Sequence, residues 1–219
     1  MNRQYAGLAE AALDRIGRLK VVPVVVIDDS DSAEPLMRAL AEGGLACAEV
    51  AFRTTAAART LEVMAQESEF LVGAGTIIGS EQLHQAIDGG AQFIVTPGFS
   101  TEVVTLARDQ SVPVIPGVAT ATEIQMAIDA GLDTVKFFPA ELLGGLSMIK
   151  ALSAAFSAVR FLPTGGITAE LLPQYLASRS VHAVGCSWMV PRGMIAAKDW
   201  SGIKRLVREA MSCVECAGR

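Results

Sequence analysis

Histidine is nearly absent from this chain: His84 and His182 are the only two in 219 residues. His84 falls in a helical pattern, and His182 falls at the inlet of the last apolar segment, away from the segment ends where sites gather. Asp28 and Asp29 remain as oxygen donors, with no obvious partners. A divalent-metal mechanism is therefore not expected, and no cofactor is called for. Cysteine is sparse, at positions 47, 186, 213 and 216, without the spacing of a disulfide framework. Reduced thiols are the expectation. Cys213 and Cys216 form a CxxC with no second pair, and read as incidental thiols at the end of a helix. Apolar runs stop well short of the ~18 residues that a membrane span needs. The first residues carry Glu10 and Asp14 in an alanine-rich helical pattern and lack the apolar core of a secretory signal, so a cytoplasmic protein is expected. Lys/Arg clusters are missing and the net charge is −5, which argues against nucleic acid as a partner. An anionic ligand would have to be held by local positive groups, not by the overall field.

What the chain does have is hydrophobic residues, 51% of the total, arranged in a repeating order. A helical stretch ends in glycine, and two or three residues later a short apolar run begins. Glycines 43–44 lead into 47–52, glycines 89–90 into 93–96, and Gly131 into 134–137. Glycine just past a helix suits the left-handed position that stops it. Eight apolar runs follow this order: 21–27, 47–52, 70–74, 93–96, 112–116, 134–137, 160–162 and 183–186. They lie about 20 to 25 residues apart with helical patterns between them, which predicts βαβ crossovers and a parallel sheet. Eight such units predict an α/β fold, a (β/α)8 TIM barrel, with an extra N-terminal helix over 3–19 and a closing helix over 199–214. The rival, an open doubly wound sheet, would carry a glycine-rich turn after its first strand. Here that position reads Asp28-Asp29-Ser30-Asp31. No linker interrupts the pattern, so residues 1–219 are expected to form one domain with its core over about 20–212.

Five lysines occur, and only Lys136 lies within an apolar strand pattern, Thr134-Val135-Lys136-Phe137-Phe138-Pro139. A buried ammonium is costly, so a lysine in such a place tends to lose its proton. A neutral amine attacks carbonyls, which is how Schiff-base enzymes build their catalyst. The alternatives are a snorkelling lysine or one half of a structural ion pair. Glu49 lies inside the second strand pattern, where the barrel interior is the better place for a carboxylate. There it could meet Lys136, as a structural partner or as a proton shuttle. At the outlet of the seventh run stand Thr164, Gly165 and Gly166, and at that of the eighth stand Gly185, Cys186 and Ser187. Barrels often bind phosphate there, and glycines let backbone N–H groups approach an anion.

These segments together resemble the class I 2-keto-3-deoxy-6-phosphogluconate (KDPG) aldolases, which often also cleave 4-hydroxy-2-oxoglutarate (KHG). The resemblance runs from about residue 8 to 212. It rests on Val21–Val26, Glu49-Val50-Ala51-Phe52-Arg53-Thr54, Gly73–Thr76, Thr96-Pro97-Gly98, Pro116–Thr120, Val135–Glu141, Pro163–Ile167 and Gly185–Trp188 in that order. It implies that Lys136 forms the Schiff base and that Glu49 is the general acid/base. It further implies that Arg53 pairs with the substrate carboxylate, that Thr76 and Pro97 line the pyruvate end, and that Phe138 packs over the imine. Thr164, Gly165, Gly166, Gly185 and Ser187 would hold a phosphate. A phosphorylated keto acid as ligand and a homotrimer are implied in the same way. Two departures stand out. Family members have Thr-Leu between the Val and Arg of the second motif, where Ala51 and Phe52 stand here, so a larger pocket is expected. Cys186 replaces a glycine and is expected to point away from the phosphate. Two other classes stay open on the residues alone: a different phosphate-binding barrel enzyme, such as a decarboxylase or thiamin-phosphate-type synthase, and a non-catalytic sugar-phosphate binder.

Overall fold

A computed structural model describes the backbone of residues 3–217 and the side chains from residue 11 onward. The chain alternates helix and strand along its described length. Helix α1 (Arg3–Leu19) precedes β1 (Val21–Val25); α2 (Ala33–Glu42), β2 (Cys47–Ala51), α3 (Ala57–Ala65) and β3 (Leu71–Gly75) follow. Next come α4 (Ser80–Asp88), β4 (Ile94–Val95), α5 (Thr101–Asp109), β5 (Val114–Ile115), β6 (Gly117–Val118) and α6 (Ala121–Asp129). The chain continues through β7 (Thr134–Phe137), α7 (Gly145–Ala155), β8 (Arg160–Pro163), α8 (Leu172–Leu176), β9 (Val184–Cys186), α9 (Arg192–Ala196) and α10 (Trp200–Ala217).

Local chemistry sets the ends of these elements. The Ser100 hydroxyl accepts from the Val103 N–H at the start of α5. Thr120 and Glu123 form a reciprocal capping box on α6, which satisfies two N–H groups that the helix leaves unpaired. Gly44, Gly90 and Gly131 hold left-handed backbone after α2, α4 and α6, as the repeating glycine pattern predicts.

Every strand pairing is parallel. One sheet has six strands in the order β5-β4-β3-β2-β1-β9, and a second has three in the order β6-β7-β8. Two isolated parallel bridges, Phe161 with Val181 and Thr164 with Gly185, join β8 to the β9 edge of the larger sheet. The sheets curl around a shared interior, since Glu49 on β2 and Lys136 on β7 belong to different sheets and yet touch. The fold is thus α/β with a curled parallel sheet.

The strands match the eight expected runs, with shifted ends and one break. The run at 112–116 was expected to be one strand, yet two short strands occupy it and the next residues, with Pro116 between them. Proline has no N–H to donate to a ladder, which accounts for the interruption. Strand β5 pairs with β4, and β6 pairs with β7, so the break falls where the two sheets part. The first run ends at Val25, two residues early. Helix α1 sits at the inlet of the strands: His182 Nε2 lies 2.8 Å from the Leu13 carbonyl, and Arg15 donates to the Glu69 carbonyl.

Candidate active site

Strand alternation explains how a charged pair comes to lie inside the fold. All five residues of β2 and all four of β7 are buried, and each strand carries one ionisable side chain in its middle. Glu49 is fully buried and Lys136 is 4% exposed. Lys136 Nζ lies 3.2 Å from Glu49 Oε1. Such a pair is a poor stability device, because desolvating two charges offsets most of their attraction. One oxygen of the pair is also left over. Glu49 Oε2 is buried and has no hydrogen-bond partner among the described residues. An unpaired buried carboxylate oxygen is costly in a resting protein and useful in one that awaits a ligand hydroxyl.

Small residues make room for the pair. A Cβ at Gly75 would run into the Glu49 carboxylate, and one at Gly73 would run into the Phe93 ring. Both positions face the interior from β3, because they are two residues apart on one strand. Gly117 pairs with Lys136 across β6 and β7, and a Cβ there would strike the Pro97 backbone. Pro97 thus sits one strand away from the amine. Thr76 follows Gly75 with φ at +59°. A left-handed β-branched residue is strained, and strain of this kind gathers at functional sites.

Phe138 connects the pair to open space. Its ring centroid lies 5.2 Å from Lys136 Nζ. The same ring helps line a cavity of about 560 Å³, within the range of small-molecule sites. Around that cavity the fold gathers Arg53, Thr164, Gly165, Gly166, Gly185 and Ser187. Lys136, Glu49, Thr76 and Pro97 lie outside its lining. Gly165 and Gly166 hold φ of +102° and +81°, and no hydrogen bond among the described residues uses their N–H groups. Successive free N–H groups of this kind form a concavity suited to an anion. The Arg53 guanidinium is exposed and has no hydrogen bond or ion pair among the described residues.

Two expectations change. Asp28 does have a partner: Arg192 Nε and Nη2 donate to its two carboxylate oxygens at 2.6 and 2.5 Å. The Arg192 fork holds the Asp28 carboxyl below the usual carboxylate range. Asp29 caps a short 3-10 turn by accepting from the Asp31 N–H. Ala51 is buried on the same face of β2 as Glu49 and, like Glu49 and Lys136, lies outside the cavity lining. Cys186 behaves as expected: its neighbours Gly185 and Ser187 line the cavity, whereas its own thiol is buried and pushed up to about 12 by that burial. The wall also includes Val24, Val26, Trp188 and Arg192. Trp188 was part of the quoted motif, but no sequence signal singled out Arg192.

The arrangement can hold a carbonyl compound against an amine, with a carboxylate at hand and an anion pocket beside it. Comparison with known proteins agrees. The model of the KDPG and KHG aldolase family matches residues 13–206. The 2-dehydro-3-deoxy-phosphogluconate aldolase of Treponema pallidum is 47% identical over 202 residues, 92% of this chain and 96% of its own. The crystal structure of the Zymomonas mobilis 2-keto-3-deoxy-6-phosphogluconate aldolase with 3-phosphoglycerate is 41% identical, with a TM-score of 0.85 over 90% of this chain and 94% of that one. The Legionella pneumophila KDPG aldolase, with pyruvate captured as a covalent carbinolamine, is 37% identical, with a TM-score of 0.88 over 91% and 97%. Fold and site define an aldolase, a lyase of carbon–carbon bonds. The chain belongs to the KDPG and KHG aldolase family.

Proposed function

We propose that the protein cleaves 2-dehydro-3-deoxy-6-phosphogluconate to pyruvate and D-glyceraldehyde 3-phosphate, and 4-hydroxy-2-oxoglutarate to pyruvate and glyoxylate. The observation that carries this reading is the buried contact between Lys136 and Glu49, with Glu49 Oε2 left unpaired. The free amine of Lys136 adds to the C2 ketone to give a carbinolamine. Loss of water gives a cationic imine, which serves as an electron sink. Glu49 takes the proton of the C4 hydroxyl, the C3–C4 bond breaks, and its electrons pass into the imine to give an enamine. The aldehyde leaves. Glu49 returns the proton to C3, and water hydrolyses the imine to release pyruvate and regenerate the amine. Arg53 suits the planar carboxylate, because its fork binds both oxygens. Thr76 and Pro97 flank the pyruvate end, and Phe138 covers the imine. Thr164, Gly165, Gly166, Gly185 and Ser187 receive the phosphate.

The strands on this reading complete a (β/α)8 barrel, with β5 and β6 as two halves of one interrupted strand and α1 added before the first unit. The whole chain then forms one domain. The fit with family relatives and the bridges between β8 and β9 support that closure. The protein acts in the cytoplasm as a homotrimer, and a sedimentation mass of three 23.0 kDa chains checks the assembly. The activity is tested by pyruvate release from each keto acid. Release from both supports the reading. Release from neither, by a folded protein, rejects it.

A further inference from the structure

Two cationic side chains line the cavity, Arg53 and Arg192, and the reaction proposed above uses only the first. Arg192 reaches the wall by a local turn. The Val190 N–H donates to the Ser187 carbonyl at 3.1 Å, which folds the chain back after Ser187 so that Pro191 and Arg192 rejoin the lining. The guanidinium is then held by Asp28, three residues after the end of β1.

This ion pair is a weak stabiliser. Its two side chains are 63% and 50% exposed, and exposed pairs contribute little once solvent screening and side-chain entropy are counted. Its geometry is more informative. Asp28 takes two of the five guanidinium N–H groups, and no other hydrogen bond among the described residues uses the remaining three. The carboxylate thus fixes the fork in one plane and leaves its other edge unpaired. A chain with a net charge of −5 offers a phosphate dianion no general attraction, so a local cation is needed. The glycine N–H groups and the Ser187 hydroxyl supply hydrogen bonds but no formal charge.

We infer that Arg192 is a specificity residue for the phosphate end of the substrate, with Asp28 as the residue that positions it. This rests on the aldolase reading of the site. Arg192 favours keto acids that carry a phosphate over those that do not, and it leaves the carbon–carbon chemistry to Lys136 and Glu49.

The test compares wild type, Arg192→Ala and Arg192→Lys on KDPG and on KHG, together with the thermal shift that inorganic phosphate gives each protein. For Arg192→Ala, the ratio of kcat/KM for KDPG to that for KHG is expected to fall about tenfold, mainly through KM, since a charge-assisted contact to one end of one substrate is lost. Arg192→Lys should recover part of that ratio, as a point charge without the fork. The phosphate-induced shift should shrink in the same order. Equal losses on both substrates, or a phosphate shift that ignores residue 192, would overturn the inference. A wild type that releases pyruvate from neither substrate counts against the aldolase reading instead. The phosphate shift then decides on Arg192 by itself.

Discussion

In the proposed mechanism Glu49 acts twice, once to take a proton and once to return it. Replacing it with Gln keeps the volume and removes the base. The expected result is a fall in kcat of about 10²–10⁴-fold with the fold intact. Unchanged turnover would leave Glu49 as a structural partner only. Arg53 is proposed to act earlier, on binding. Arg53→Lys should raise KM for either keto acid on the order of tenfold, because a lysine cannot meet both carboxylate oxygens. An unaltered KM would remove Arg53 from the site. Lys136 and Glu49 stand out in the sequence as charges within short apolar strand patterns, with a structural ion pair as the alternative reading, whereas Arg53 comes only with the family resemblance. Arg192 was not legible. Its place depends on a partner 164 residues away, and nothing in Pro191-Arg192-Gly193 distinguishes it from a surface arginine. Asp28 was misread for the same reason: its partner comes from the far end of the chain.

Elements were easier to read than contacts. Glycine stops, capping residues and apolar runs all act over a few positions, so α2, α4 and α6 end where their glycines predict. Strand lengths were harder. An apolar run does not say where its neighbour stops pairing, and Val26 and Ile27 continue β1 in sequence but not in the sheet. The Pro116 break was visible as a proline, but its consequence for two sheets was not. The joint between α1 and the strands rests on His182, which is 7% exposed. Its ring meets the Leu13 carbonyl at Nε2 and Arg160 Nη1 at Nδ1, 3.3 Å away. That pairing assigns the neutral tautomer, with Nε2 donating and Nδ1 accepting. Burial holds the pKa of His182 below its ordinary value of 6.5; Arg160 and Lys20 push it the same way, while the Leu13 hydrogen bond and Asp133 oppose them. The unfolded chain therefore takes up a proton first as pH falls. Stability from this group is complete above about 6.5 and is lost as pH drops toward the folded value. Melting temperature should decline between pH 7.5 and 5.5, and less so in His182→Gln, which keeps both hydrogen bonds without titrating. Identical slopes would show that His182 is not the sensor.

The whole molecule places the candidate site's cavity at one end of its parallel strands. Cavity-lining residues come from the ends of β1, β2, β7, β8 and β9 and the segments that follow them, in keeping with where parallel α/β folds put their sites. The inlet end, where α1 packs, carries no part of that lining. That division was legible from the order of elements alone; the meeting of β2 and β7 across the interior was legible only as a possibility, since it depends on how far the sheets curl. The central claim is that Lys136 is the nucleophile. Its most direct test is to incubate the protein with pyruvate and sodium borohydride, then record the intact mass and a peptide map. A single reduced pyruvate adduct, mapped to Lys136 and absent from Lys136→Ala, is the predicted result. A folded wild-type protein that gains no adduct, or gains it on another lysine, would contradict the account.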